Sequence, residues 1–151
     1  MFVAPAGLAL RALRASWRPL ACMGDPPARR FSAAEITRDA KCLPCEGIGS
    51  ALPVEQAAAL VAEKAPAWSM GGDQGAPRIF RTWKRASFID AMQFLNRVAE
   101  VAEAEGHHPD LHLTQWNRVR IEFWTHALGG ITENDIIMAM KVDAVDAQPK
   151  A

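Results

Sequence analysis

A chain of 151 residues, half of them hydrophobic and with a formal net charge of zero, has apolar material for one packed domain plus an extension and too little length for two. The zero hides a division: through Ala34 there are five arginines against one acid, Asp25, a charge of +4 that leaves −4 on the remainder. An acidic body argues against the broad basic footprint of duplex binding, so no nucleic-acid partner is expected, and no apolar run approaches the ~20 residues of a bilayer span, so no membrane partner is expected either.

From Met1 to Met23 no acidic residue occurs, while Arg11, Arg14 and Arg18 recur three or four apart among Leu8, Leu10, Leu13, Trp17 and Leu20. Wound as a helix this gives a basic amphipathic ribbon, the composition of an organellar transit peptide, and it lacks the uninterrupted apolar core of a secretory signal. Arg29-Arg30-Phe31-Ser32-Ala33 is similar to a mitochondrial presequence cleavage region. Residues 1–34 are therefore expected to be a transit peptide, disordered or removed, with the mitochondrion as destination and the plastid as the alternative; a tail without an address is the bland reading.

Residues 35–51 read as an extension carrying Cys42-Leu43-Pro44-Cys45, a spacing that suits a metal or a redox disulfide. Only half of a four-ligand site is present, with Cys22 in the leader and no histidine nearby, so a loop element is favoured over zinc or redox chemistry. The domain proper is expected over residues 52–147, with 148–151 a tail.

Pro53 opens a helix in which Ala57, Ala58, Leu60, Val61 and Ala65 supply an apolar face, and Pro66 ends it. Trp68 to Met70, a Gly71-Gly72-Asp73-Gln74-Gly75 turn and Arg78 to Arg85 read as a β-hairpin. Arg78, Arg81, Lys84 and Arg85 make it locally basic, either a solvated strand face or a contact for an anionic partner. Ser87-Phe88-Ile89-Asp90 has capping-box spacing and starts a second helix, whose expected buried stripe is Phe88, Ala91, Met92, Leu95, Val98, Ala99 and Ala102 and whose stop is Gly106.

After Pro109, Leu111 to Leu113 is a short strand and Asn117 to Thr125 a longer one, with Val119, Ile121 and Phe123 alternating with Arg118, Arg120, Glu122 and Trp124. His126 falls on the face opposite Val119 if the alternation persists, or in the loop from Ala127 to Ile131. Thr132 caps the last helix with Asp135 as its partner, and Ile136, Ile137, Met140, Val142 and Val145 give that helix its apolar surface. Elements that bury one face each pack as an α+β fold, a four-stranded antiparallel sheet with about three helices on one face. A strand edge left open makes self-association plausible.

All four histidines fall between Glu105 and Asp135, three of them in Glu105-Gly106-His107-His108-Pro109 and Trp124-Thr125-His126. Imidazole, with an ordinary pKa near 6.5, exchanges protons around neutral pH, so this density points to acid/base work. Metal binding is the first rival, although neighbours such as His107 and His108 point in different directions and do not readily converge on one ion. Chance is the second, since a lone histidine is more often satisfied or exposed than catalytic. His112 reads as a strand or loop residue, and Trp116 and Trp124 as core or interface aromatics.

The order Glu105-Gly106-His107-His108-Pro109, then Trp116, His126 and Asp135 closely resembles the signature of the pterin-4a-carbinolamine dehydratases. The resemblance runs back through Phe80-Arg81-Thr82-Trp83-Lys84 and covers about Cys42 to Val145, and its one departure is a segment between Pro109 and Trp116 a residue longer than the commonest form. It implies the same α+β fold, a pterin substrate, a homodimer or homotetramer, and no metal or redox cofactor. It also implies His107 and His126 as acid and base, His108 as a substrate-binding and polarising residue, Asp135 as a supporting acid and Trp116 as the motif's aromatic. Asp135 has a second explanation in its capping position. Competing functions are an interaction protein, like the relatives that help a transcription factor dimerise, and a pterin-binding chaperone without turnover.

Overall fold

The longest helix is set at both ends by local chemistry. Ser87 accepts the Asp90 N–H at 3.0 Å and opens α2 (Phe88–Glu105), and Gly106 closes it in the left-handed region at φ 65°, its N–H returning to the Ala102 and Glu103 carbonyls. Asp90 does not answer the Ser87 backbone as a capping box would; its carboxylate takes the Ala86 N–H at 2.9 Å and the Arg85 guanidinium at 3.2 Å.

The computed structural model describes residues 30–44, 50–72 and 76–147. The leader through Arg29, Cys45, the middle of the glycine-rich turn and the tail from Gln148 lie outside the described residues. Around α2 stand α1 (Val54–Lys64), β1 (Ser69–Gly71), β2 (Arg78–Lys84), β3 (Asp110–Thr114), β4 (Arg118–Phe123), a 3₁₀ turn at His126–Leu128 and α3 (Glu133–Asp146). The strands form one antiparallel sheet in the order β1-β2-β4-β3, so the α+β expectation of three helices on a four-stranded sheet holds.

Alternation along β4 decides which side the helices cover. Val119, Ile121 and Phe123 are fully buried beside Ile79 and Trp83 of β2, while Arg118, Arg120 and Glu122 line the other face. Each such buried Val, Ile or Phe contributes roughly 1.5–3 kcal/mol, against ~0–1 kcal/mol for an exposed ion pair, so the apolar face sets the register. The buried face of α2 is rotated from the expected stripe: Phe94 is buried against Trp83 with ring centroids 5.2 Å apart, and Phe88 and Met92 are exposed. The hairpin's arginines are paired within the chain, while Lys84 is exposed. Arg81 reaches Asp143 at 2.6 Å, Arg85 reaches Asp146 at 2.7 Å, and Trp68 and Trp83 each donate an indole N–H to those same two carboxylates at 2.8 Å.

Every residue of α3 from Glu133 to Ala139 is buried, because the helix touches α1, α2 and β4 and its first turn is covered by the extension. That covering segment is a strap. Cys42 N–H donates to Glu105 Oε2 at 2.9 Å, Lys41 donates to the Ala104 carbonyl, and Asn134 grips the Leu43 backbone on both sides, at 2.9 and 2.7 Å. Arg30 lies 3.6 Å from Glu133 and Phe31 packs on the core, so contact with the domain begins inside the segment expected to be leader. Cys42 is buried, and burial first, then the nearby Glu105 carboxylate, pushes its thiol up to about 12, which suits packing and not nucleophilic chemistry.

Glu105 is the pivot of the strap. Burial works against its charge, yet the Cys42 N–H, Lys141 at 3.2 Å and Lys41 at 3.6 Å outweigh it and hold the carboxyl below its ordinary value of 4.5. A lowered folded-state pKa gives stability that is present above the unfolded value and lost as pH falls through the folded one. Urea denaturation from pH 7 downward should show a shallower loss of stability below about pH 4.5 for Glu105→Gln than for the parent chain. Identical slopes would remove Glu105 from the acid response.

Candidate active site

His107 follows the left-handed Gly106 directly, so the end of α2 aims its imidazole inward, where it is buried with Nε2 2.6 Å from Asp135 Oδ1. The other Asp135 oxygen, Oδ2, accepts the Thr132 N–H at 2.7 Å and the Thr125 hydroxyl at 3.0 Å. One oxygen therefore caps α3 and the other meets His107. Against an ionised Asp135, which only accepts, the imidazole donates from Nε2. Phe123 backs the imidazole with nearly parallel rings, centroids 6.2 Å apart.

His126 begins the 3₁₀ turn after β4 and does not continue the strand. The turn exists because Thr125 N–H closes the loop on the Gly130 carbonyl at 2.8 Å and Gly129, at φ 62°, reverses the chain. Its imidazole is exposed, lies edge-on to Trp124 with centroids 4.3 Å apart, and stands 3.7 Å from Asp110 Oδ1. His108 is also exposed, with Nε2 3.0 Å from Glu103 Oε2 one turn back on α2.

These residues surround one cavity of about 210 Å³, lined by Gly106, His107, His108, Trp124, Thr125, His126 and Ala127. The expected trio is thus brought together, with Asp135 behind His107 and not in the lining. Trp116 is not brought there. It occupies the β3–β4 turn beyond the Thr114–Arg118 pair, 60% exposed and at φ 59°, while the cavity lies past the other end of those strands. His112 faces Glu122 at 3.8 Å on the open face of the sheet. Among the described residues no group of three or more His, Cys, Asp or Glu is placed to hold a metal. Glu103 and Asp110 escaped sequence reasoning: an acid four residues before His107 or two after His108 looks like any surface charge until the turn at Gly106 folds it back.

Three histidines, each facing a carboxylate, stand around one small cavity at the end of an antiparallel sheet. Comparison with known proteins supplies the family. Residues 50–145 match the family described as Pterin 4 alpha carbinolamine dehydratase. The chain is 41% identical over 121 residues to the Arabidopsis thaliana protein named pterin-4-alpha-carbinolamine dehydratase 2, mitochondrial, covering 80% of this chain and 65% of that one. It is 42% identical over 102 residues to a putative pterin-4-alpha-carbinolamine dehydratase of Chlorobaculum tepidum, covering 68% of this chain and 90% of the relative. The crystal structure of a transcriptional coactivator/pterin dehydratase from Brucella melitensis superposes with a TM-score of 0.55 at 30% identity, over 64% of this chain and 98% of that one. The chain belongs to the pterin-4a-carbinolamine dehydratase family, a family of hydro-lyases.

Asp135 ties fold and site in one side chain, and its removal tests that. Asp135→Ala takes away both accepting oxygens and leaves the buried Thr132 N–H without its acceptor. Chemical denaturation should show about 1–3 kcal/mol lost, the cost of leaving a buried donor unanswered. A variant of parental stability would mean that the two bonds are dispensable.

Proposed function

We propose that this chain removes water from a 4a-hydroxytetrahydropterin, giving a quinonoid dihydropterin, by histidine acid/base catalysis, and that it serves the recycling of a pterin cofactor after an aromatic amino acid hydroxylase. The observation that carries the reading is the meeting of His107, His108 and His126 around one cavity. At about 210 Å³ it is smaller than the ~300–1,000 Å³ clefts of larger ligands, so it takes the bicyclic head and leaves the pterin side chain outside.

In this reaction the C4a–O bond breaks and the oxygen leaves as water with a proton from an acid. The adjacent ring N–H gives its proton to a base, and the electron pair of that bond becomes the new C=N. His107, oriented by Asp135 through Nε2, is the base, and His126, on its exposed turn, is the acid. His108, held by Glu103 at the mouth, binds and polarises the substrate. Each positioned proton transfer contributes about 10²–10⁴-fold.

The purified chain should therefore dehydrate a synthetic hydroxytetrahydropterin. His107→Ala should lower kcat more than it weakens binding of a substrate analogue, and His108→Ala should weaken binding at least as much as turnover. The His107→Ala, His126→Ala double variant should approach the uncatalysed rate. A folded double variant that turns over like the parent overturns the mechanism, and a parent that binds the pterin without turnover leaves a binding module instead.

Self-association belongs to the same reading, as a homodimer or homotetramer. Strand β3 is a sheet edge, and Leu111 on it, together with Phe88, Ile89 and Met92 on α2, is exposed. The leader and the mitochondrial relative support import into mitochondria, with plastids as the alternative. Residues 1–40 fused to a fluorescent reporter should carry it into one of these organelles, and a uniformly cytosolic signal would refute the address.

A further inference from the structure

The dehydratase reading leaves one constraint unexplained. His126 is exposed on a three-residue turn, and acid/base work needs its imidazole held in place. What surrounds it outside the cavity converges on Asp110, the first residue of β3 and the second after His108.

Asp110 Oδ2 accepts the Trp124 indole N–H at 2.9 Å, and its Oδ1 faces His126 Nε2 at 3.7 Å. The Trp124 ring, a wall of the cavity, meets the His126 ring edge-on at 4.3 Å. Behind the pair, Arg78 stacks on the Trp124 ring with its guanidinium carbon 4.5 Å from the centroid, and its Nη1 lies 3.4 Å from Asp110 Oδ2 and 3.0 Å from Glu122 Oε2. Glu122 is directly opposite Asp110 in the β3–β4 register and is fixed from its other oxygen by Arg120 at 2.5 Å. Asp110 is thus anchored on the sheet and holds two side chains of the pocket.

We propose that Asp110 is a positioning residue of the site: its carboxylate fastens Trp124 by the indole N–H and confines the His126 imidazole between that ring and Oδ1. The bland alternative is a surface ion pair with Arg78. Partly exposed pairs of that kind contribute only ~0–1 kcal/mol, and losing one would leave turnover unchanged. A positioning residue behaves differently, since displacing a proton-transfer group by about 1 Å costs on the order of 10²-fold in rate with little change in ground-state binding.

The proposal rests on the dehydratase reading for its rate arm and on spectroscopy for its geometry. Asp110→Ala, made in the full chain, should move the Trp124 indole N–H cross-peak and remove the Trp124 ring-current shift from the His126 Hε1 resonance, the peaks being assigned with Trp124→Phe and His126→Ala. On hydroxytetrahydropterin its kcat should fall about 10- to 100-fold while KM stays within a few-fold. Asp110→Asn keeps an accepting oxygen for the indole, so it should retain the cross-peak and recover most of the lost rate. If the alanine chain does not fold, Asp110→Ser, which also lacks the carboxylate, takes its place. Unmoved resonances in the variant without the carboxylate, or moved resonances with parental kcat, overturn the proposal. A parent without turnover would defeat the dehydratase reading instead, and Asp110 would still stand or fall on the His126 Hε1 shift.

Discussion

A carboxylate with no exposed surface needs its lone pairs answered, because removing it from water costs several kcal/mol that only nearby donors offset. Asp135 meets that demand with donors from separate parts of the chain: the Thr132 backbone at the start of α3, the Thr125 hydroxyl after β4, and His107 at the end of α2. Those three places are the frame of the site. The same bonds that stop α3 from fraying at its N-terminus also set the imidazole's direction and close the loop on which His126 turns. A change at Asp135 therefore reaches fold and chemistry together, and no substitution there separates them cleanly.

The surroundings follow from placing such a group at the centre. A helix that starts with three consecutive buried polar residues, Glu133, Asn134 and Asp135, must be roofed by groups able to bond to them. The strap does this through Arg30 and the Leu43 backbone, and it is anchored in turn by Glu105 on the last turn of α2. It therefore pins the two helix ends from which His107 and Asp135 project. At the far end of α3 the roles are reversed: Asp143 and Asp146 bind Trp68, Arg81, Trp83 and Arg85, so the charge of these two arginines is spent on the helix. Burial works against the Arg85 charge, yet Asp90 and Asp146 outweigh it and raise its pKa.

The open face of the sheet carries a second polar layer. Arg120 stacks on Phe80 at 3.7 Å and bonds Glu122, which also holds Arg78. Burial opposes the Glu122 charge, but the two arginines outweigh it and keep its pKa below the usual carboxylate range. This layer reaches the cavity at Asp110 and Trp124, so the site is braced from the core on the His107 side and from the outer sheet on the His126 side.

What the sequence determined by itself was whatever depends on neighbours within a few positions. Ser87, Gly106 and the Thr132–Asp135 pair marked helix ends because capping is an interaction across three or four residues, and the alternation of Val119, Ile121 and Phe123 named the buried face of β4 because strand geometry has a period of two. The histidine cluster was legible as types and spacing, and its resemblance to one family came from that order. The tertiary structure decided the pairings over distance. Phe94 displaced Phe88 from the α2 interface because Trp83 stands opposite it, His126 left the strand because Thr125 pairs with Gly130, and Trp116 fell at the wrong end of β4 to join the cavity. His107 and Asp135, 28 positions apart, carry no local signal of their contact, since it exists only once α2, β4 and α3 have packed together.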